Sequence, residues 1–291
     1  MIRVLALSPA LDITYEIEAL DRGGINRPLA TTAVAGGKSL NMARAARALG
    51  ADVHAIVALG GLNGERVHRL LEADRVAMTV VELAAETRTC FSLVEADGGA
   101  TSTDVYEVAT GFASEEWASY AATVREAAPT AWTAVSGSVP TGVPGTELAL
   151  LLAAARTNGT RVALDTSGPE LVRLARECDL IKINRVEVSE LIGDDVVDAA
   201  AGCAALHDLF GVDAVVTDGV NGGAALSAGT LIRLDAPEIV GRFPAGSGDS
   251  FFGGLLHGLD SGMTLENALG IARNAAERNA RVPGQAVLAA L

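Results

Sequence analysis

Six short apolar runs, interleaved with stretches of helical spacing, constrain this 291-residue chain more than any other feature. They lie at residues 4–7, 53–59, 132–136, 162–165, 180–184 and 214–217. Ala-, Leu- and Arg-rich stretches such as 39–49, 147–156 and 198–209 repeat apolar residues at helical intervals. A run that is apolar at successive positions has no solvent face, so it suits a strand covered on both sides. Parallel neighbours need a crossover of a dozen or more residues, which is what the helical stretches supply. The pattern predicts an α/β fold, a mostly parallel sheet flanked by helices on both faces. Ligands of such sheets sit beyond the carboxyl ends of the strands. With 49% hydrophobic residues, the chain can fill a core of that size.

Two stretches, 11–35 and 87–108, break this rhythm. Ile13-Thr-Tyr-Glu-Ile17 and Cys90-Phe-Ser-Leu-Val94 alternate with a period of two, the mark of a half-buried strand. They predict a small β-sheet projecting as a lid from a single domain over residues 1–291. Two surface hairpins would give the same pattern. A sheet that small is marginal alone, so pairing with a second subunit through the lid is expected.

The net charge is −14, from 36 acidic and 22 basic residues, a surface that repels nucleic acid and anionic membranes. The longest apolar run, 148–155, is too short to span a bilayer, and the apolar start meets Asp12 early and reads as a strand. A soluble, cytoplasmic protein is expected. Cys90, Cys178 and Cys203 are odd in number and far apart, and the four His residues lack metal-ligand spacing. Neither a disulfide framework nor a zinc site follows.

Chemistry concentrates in a few segments. Gly246-Ser-Gly248 forms a tight turn before an apolar helix, with Asp249 at the helix mouth. Free N–H groups and the positive end of the helix suit an anion there. A carboxylate at that spot would repel a phosphate, a conflict that makes sense for a base acting on a nearby hydroxyl. An ordinary capped turn would also use these residue types. Gly36-Gly37-Lys38 opens another helix, with Asn41 one turn on. It is no P-loop, because Thr32 stands where that loop needs a glycine. Asp12 ends the first strand and could accept hydrogen bonds from a polyol. Asn184 and Glu187 share a helical face, as a hydrated Mg²⁺ holder or as a capping pair.

These segments, with Ser8-Pro-Ala-Leu-Asp12, Glu86-Thr-Arg88, Val135-Ser-Gly-Ser-Val-Pro140, Leu164-Asp-Thr-Ser-Gly168 and Ile183-Asn-Arg-Val-Glu187, occur in an order that resembles the PfkB carbohydrate kinases of the ribokinase superfamily. The likeness runs over residues 2–286 and is nearest to the 1-phosphofructokinase and tagatose-6-phosphate kinase branch. It implies a ribokinase-like fold and an ATP-dependent kinase with Mg²⁺, acting on a hexose phosphate: fructose 1- or 6-phosphate or tagatose 6-phosphate. Asp249 would be the general base, and the amides of Gly246, Ser247 and Gly248 the anion hole. Asp12, Gly36, Gly37, Asn41 and Ser138 would hold the sugar, and Arg27, Lys38 and Arg88 its phosphate. Asn184 and Glu187 would organise Mg²⁺ and the nucleotide phosphates. Thr217 and Gly219 would touch the nucleotide, and Asn274 would wall the adenine. Phe243 replaces the branch's usual Asn near the hole. A kinase of an unphosphorylated sugar or nucleoside would not need the cationic trio, and a non-catalytic sugar-phosphate sensor would not need Asp249.

Overall fold

The computed structural model describes residues 1–96 and 101–290. Residues 97–100, inside the second lid stretch, lie outside the described residues. In chain order, the first strands are β1 (Ile2–Ala6), β2 (Ala10–Ile17), β3 (Ala30–Gly36), β4 (Val53–Leu59) and β5 (Ala77–Glu82). Then come β6 (Thr89–Glu95), β7 (Thr103–Tyr106), β8 (Trp132–Ser136), β9 (Arg161–Asp165), β10 (Leu180–Asn184) and β11 (Asp213–Thr217). A hairpin of β12 (Gly223–Ser227) and β13 (Thr230–Leu234) follows. The helices used below are α1 (Lys38–Ala48), α2 (Gly61–Ala73), α3 (Ser114–Glu126), α4 (Gly145–Thr157) and α5 (Gly168–Leu174). To these add α6 (Arg185–Ile192), α7 (Ala199–Phe210), α8 (Ser247–Asp260) and α9 (Leu265–Asn279).

Among the described residues the main sheet runs β13-β12-β11-β10-β9-β8-β1-β4-β5. The seven strands from β11 to β5 are mutually parallel, and the β12–β13 hairpin adds antiparallel at one edge. Ile2 sits opposite Val53 on one side and Trp132 on the other, so β1 is central. Every residue of β1 and of β8 is buried, as two covered faces require.

Alternate side chains feed two cores. Leu5, Ile56, Val135 and Ile181 pack with Trp117 and Tyr120 of α3 and Leu148 and Leu152 of α4. Ile2, Val4 and Trp132 face the opposite layer, with Leu40 and Met42 of α1 and Phe252 and Leu255 of α8. Fully burying one such side chain contributes about 1.5–3 kcal/mol. The Tyr120 hydroxyl donates to the Ile56 carbonyl at 2.9 Å, so its polar end is satisfied inside the core.

The two arrhythmic stretches meet in a second, four-stranded sheet of order β3-β2-β6-β7. β2 pairs parallel with β6, Leu11 opposite Thr89, and antiparallel with β3. β3 ends at Gly36 and passes straight into α1, so this sheet is anchored above the carboxyl ends of the main strands. Three strands were not legible from apolar runs. β5 is an edge strand with three of six residues exposed, and the β12–β13 hairpin is short and half-exposed.

Candidate active site

The carboxyl ends of β8, β9, β10 and β11, the first turns of α1, α6 and α8, and the small sheet surround one cavity of about 540 Å³; Asp12 enters it from within β2, not from the end of the first strand as expected. Asp12, Gly37, Lys38, Asn41, Arg88 and Ser138 line it, as do Asn184, Glu187, Thr217, Gly246, Gly248 and Asp249. A second cavity of about 260 Å³ lies between Thr217–Gly222 and α9, with apolar walls from Val220, Ile239, Val240 and Phe251. Thr217 and Gly248 border both, so the two chambers meet at the mouth of α8.

Asp249 is 7% exposed, in the first turn of α8. Its Oδ2 accepts from Asn41 Nδ2 at 2.9 Å. Burial pushes its carboxyl up to about 6, against the pull of the Lys38 ammonium, the Asn41 hydrogen bond and Lys182. Gly246 caps this helix at φ 83°, and a Cβ there would stand 2.6 Å from the Ala286 nitrogen, so glycine is required. The amide cradle differs from the expected trio. Ser247 N–H donates to the Pro244 carbonyl at 3.1 Å, closing the turn. Among the described residues, the N–H groups of Gly246, Gly248 and Asp249 carry no hydrogen bond. The open donors are thus 246, 248 and 249, because the first turn of a helix leaves its N–H groups unpaired unless a turn consumes them.

Asp12 is 2% exposed, and its Oδ2 accepts from Gly37 N–H at 3.2 Å and from Asn41 Nδ2 at 3.4 Å. A Cβ on Gly36 would fall 2.0 Å from the Asp12 Cγ, so this glycine makes room for the carboxylate without itself lining the cavity. Burial raises the Asp12 carboxyl to about 6 despite those bonds. Its Oδ1, and the Oδ1 of Asn41, are buried without a partner and are suited to hydroxyl donors.

A chain of charges continues toward α6. Asp165 is fully buried, with Oδ2 2.9 Å from Lys182 Nζ and Oδ1 3.5 Å from Lys38 Nζ. Burial opposes its ionisation, but Lys182 and Lys38 together outweigh it and hold the carboxyl below its ordinary value. Lys38 is raised, first by Asp165 and then by Glu187, whose Oε1 lies 3.4 Å away. Asn184 and Glu187 form a reciprocal capping box: Glu187 N–H donates to Asn184 Oδ1 and Asn184 N–H to Glu187 Oε2, both at 2.9 Å. The capping arrangement is thus realised, and both residues also line the cavity. Among the described residues, no three His, Cys, Asp or Glu side chains cluster as a metal cage.

Arg88 donates Nε to the Pro9 carbonyl at 3.4 Å, Nη1 to Glu107 at 2.9 Å and Nη2 to Ser8 at 3.1 Å. These contacts engage three of its five N–H donors. Ser138 Oγ donates to Ser8 Oγ at 3.2 Å. Two expected residues stand apart. Arg27 is exposed between β2 and β3 and lines neither cavity. Asn274 lies on the expected helix, α9, but is exposed; Arg273, Ala276, Glu277 and Ala280 face the second cavity instead. Successive helical residues turn by about 100°, so 274 is carried off the face that 273, 277 and 280 share.

The fold also recruits residues the motifs did not single out for the site. A Cβ on Gly248 would lie 3.3 Å from Lys182 Nζ, which puts that ammonium beside the open amides. Asn279 Nδ2 donates to the carbonyls of Phe243 at 3.2 Å and Ala245 at 3.0 Å, and to Ser247 Oγ at 3.0 Å, fixing the loop into α8. At Phe243 the carbonyl therefore supports the loop, while its ring lies buried beneath the Arg242 guanidinium. Gln285, beyond α9, lines the larger cavity and contacts Asn41. Asp165 stood inside a quoted segment and Lys182 inside the apolar run 180–184; the motifs did not point to Gln285 or Asn279.

A family model described as pfkB family carbohydrate kinase matches residues 6–287. The phosphofructokinase-2 of Escherichia coli, solved with fructose-6-phosphate, is 26% identical and superposes with a TM-score of 0.86 over 95% of this chain and 92% of that one. The same enzyme solved with substrates and products gives a TM-score of 0.90 at 24% identity, over 99% and 95% of the two chains. A possible 1-phosphofructokinase from Thermotoga maritima shares the fold, with a TM-score of 0.80 at 19% identity over 96% and 91%. With a paired cavity, a buried carboxylate at a helix mouth and a family match over nearly its whole length, this chain belongs to the PfkB family of carbohydrate kinases, which phosphorylate sugars with ATP.

Proposed function

We propose that the enzyme transfers the terminal phosphoryl group of ATP to a hydroxyl of a hexose phosphate: fructose 1- or 6-phosphate, or tagatose 6-phosphate. The observation that carries this is the position of Asp249, buried and bonded to Asn41 where the two cavities meet beside three open amides. The sugar occupies the larger cavity, with hydroxyls donating to Asp12 Oδ1 and Asn41 Oδ1. The adenine takes the apolar second cavity, by Thr217 and Gly219. Asp249 accepts the proton of the attacking hydroxyl as its oxygen bonds to the terminal phosphorus and the bond to the ADP oxygen breaks. The amides of Gly246, Gly248 and Asp249, with Lys182, stabilise the charge on the transferring group. A carboxyl at about 6 is ionised near neutral pH yet basic enough to serve.

Mg²⁺ would screen the nucleotide phosphates. Both Glu187 oxygens already have protein donors, so Glu187 and Asn184 fit contact through the ion's waters rather than direct ligation. The small sheet acts as a lid through Arg88 and Tyr106, and two copies pair across it in the cytoplasm. The exposed Ile25, Leu29 and Val105 on that sheet and its loop support the pairing.

Assaying ADP release against hexose monophosphates and their free sugars tests the substrate class. Arg88→Ala should raise KM for the phosphorylated sugar far more than for ATP; equal effects would take Arg88 off the substrate phosphate. A second reading, a neutral sugar, draws on the remoteness of Arg27 and the pairing of Lys38 with Asp165 and Glu187. Turnover of a free sugar with a kcat/KM above that of every monophosphate would establish it.

A further inference from the structure

We propose that Gln285 is a positioning residue that holds the Asn41 amide with its NH₂ toward the catalytic carboxylate; the inference rests on Asp249 as the base. Gln285 is 5% exposed and lies in the segment after α9. Its Oε1 accepts from Asn41 Nδ2 at 3.2 Å. Its Nε2 reaches Ser92 Oγ of β6 at 3.5 Å, and its carbonyl accepts from Arg44 Nη1 at 2.9 Å. A Cβ on Gly246 would fall 2.9 Å from its Cα, so the segment is seated on the mouth of α8.

The Asn41 amide has three acceptors around one nitrogen: Asp249 Oδ2 at 2.9 Å, Gln285 Oε1 at 3.2 Å and Asp12 Oδ2 at 3.4 Å. An NH₂ group has two hydrogens to share among them. Its oxygen is buried with no partner at all. Rotating the amide by half a turn would bring that oxygen against two carboxylates and the Gln285 carbonyl. Gln285 thus adds a third, uncharged vote for the donating orientation. It does so without adding negative charge, which a carboxylate in its place would bring. The donation favours the ionised form of Asp249. The other charged or titratable groups around Asp249 are Lys38 of α1, Asp165 of β9, Lys182 of β10, Tyr106 of β7 and, across the shared Asn41 amide, Asp12 of β2. Through Ser92, the same side chain joins the small sheet to the base.

The test is the pH dependence of kcat for wild type, Gln285→Leu and the isosteric Gln285→Glu, with sugar and ATP saturating. Losing orientation of one donor should move the acid limb up by about one pH unit. That means kcat about five-fold below wild type at pH 6 and nearly equal at pH 8.5. Gln285→Glu should move it further, by adding a carboxylate, and it reports even if the leucine variant does not fold. A fall in kcat that is equal at all pH values, or a Gln285→Leu limb that coincides with wild type, overturns the inference; so does a Gln285→Glu limb that coincides with wild type. Asp249→Asn separates the two levels. If the residual rate of that variant keeps the wild-type acid limb, the base assignment itself is wrong, whatever Gln285 does.

Discussion

Replacing Asp249 with asparagine should inactivate the enzyme and stabilise it, in a manner that depends on pH. Burial holds this carboxyl at about 6 in the folded chain, against 3.8 ordinarily. The gap corresponds to about 3 kcal/mol, at 1.36 kcal/mol for each pH unit. The sign follows from which state binds the proton more tightly. Below about pH 4 both folded and unfolded forms are protonated, and ionisation costs nothing. Between about 4 and 6 the unfolded chain releases its proton while the folded chain keeps it, so native stability falls. Above about 6 the full cost is present. Asparagine removes it, but sets an amide against the donating Asn41 Nδ2, a mismatch worth about 1–2 kcal/mol unless the new amide presents its oxygen. The expected net gain is therefore about 1–3 kcal/mol at pH 8, or a Tm higher by about 2–10 °C for a chain of this size. At pH 4 the gain disappears. Calorimetric melts of both proteins from pH 4 to pH 8.5 measure the difference. A variant that is less stable than wild type at pH 8, by a margin that does not change with pH, would refute the buried-carboxylate account. In the same samples kcat should fall by roughly 10²-fold or more with nucleotide affinity kept. An unchanged kcat would refute Asp249 as the general base.

Lys182→Met should cost about 3–5 kcal/mol in denaturant unfolding, since it leaves the fully buried Asp165 with only Lys38 at 3.5 Å. A loss below 1 kcal/mol would mean that Asp165 is neutral in the folded protein. Gly246→Ala should lower kcat by tenfold or more, because φ 83° and the Ala286 nitrogen 2.6 Å from the new Cβ force the open amides to move; wild-type turnover would dissociate the cradle from catalysis. Val240→Asp should raise the ATP dissociation constant at least tenfold in calorimetric titration, by placing a charge in the apolar wall of the second cavity. Asn274→Ala should leave it within about two-fold, as an exposed side chain that lines no cavity.

Much of the fold can be read along the chain because its central strands are covered on both faces. Residues 53–59, 132–136 and 180–184 are strands with the bounds their apolar runs suggest. The same logic misses β5 and the β12–β13 hairpin, where one face meets solvent and the apolar signal halves. In the site, glycines and the carboxylates beside them were legible: Gly37 and Asn41 donate to Asp12, and Asn41 also donates to Asp249. The helix behind the second cavity was also legible, but not its inward face, so Asn274 was expected where Arg273 and Glu277 stand.

Local order in the chain determined which segments become buried strands, where a tight turn opens a helix, and which carboxylate stands at its mouth. These follow from short-range sterics and from apolar residues at fixed intervals. Tertiary structure alone decided that Lys182 and Lys38 keep Asp165 charged, that Gln285 and Asn41 meet 244 residues apart, and that Asp249 is buried enough to reach a pKa of about 6. Charge and solvation depend on everything within a few ångströms of a group, and that neighbourhood exists only once distant parts of the chain have come together.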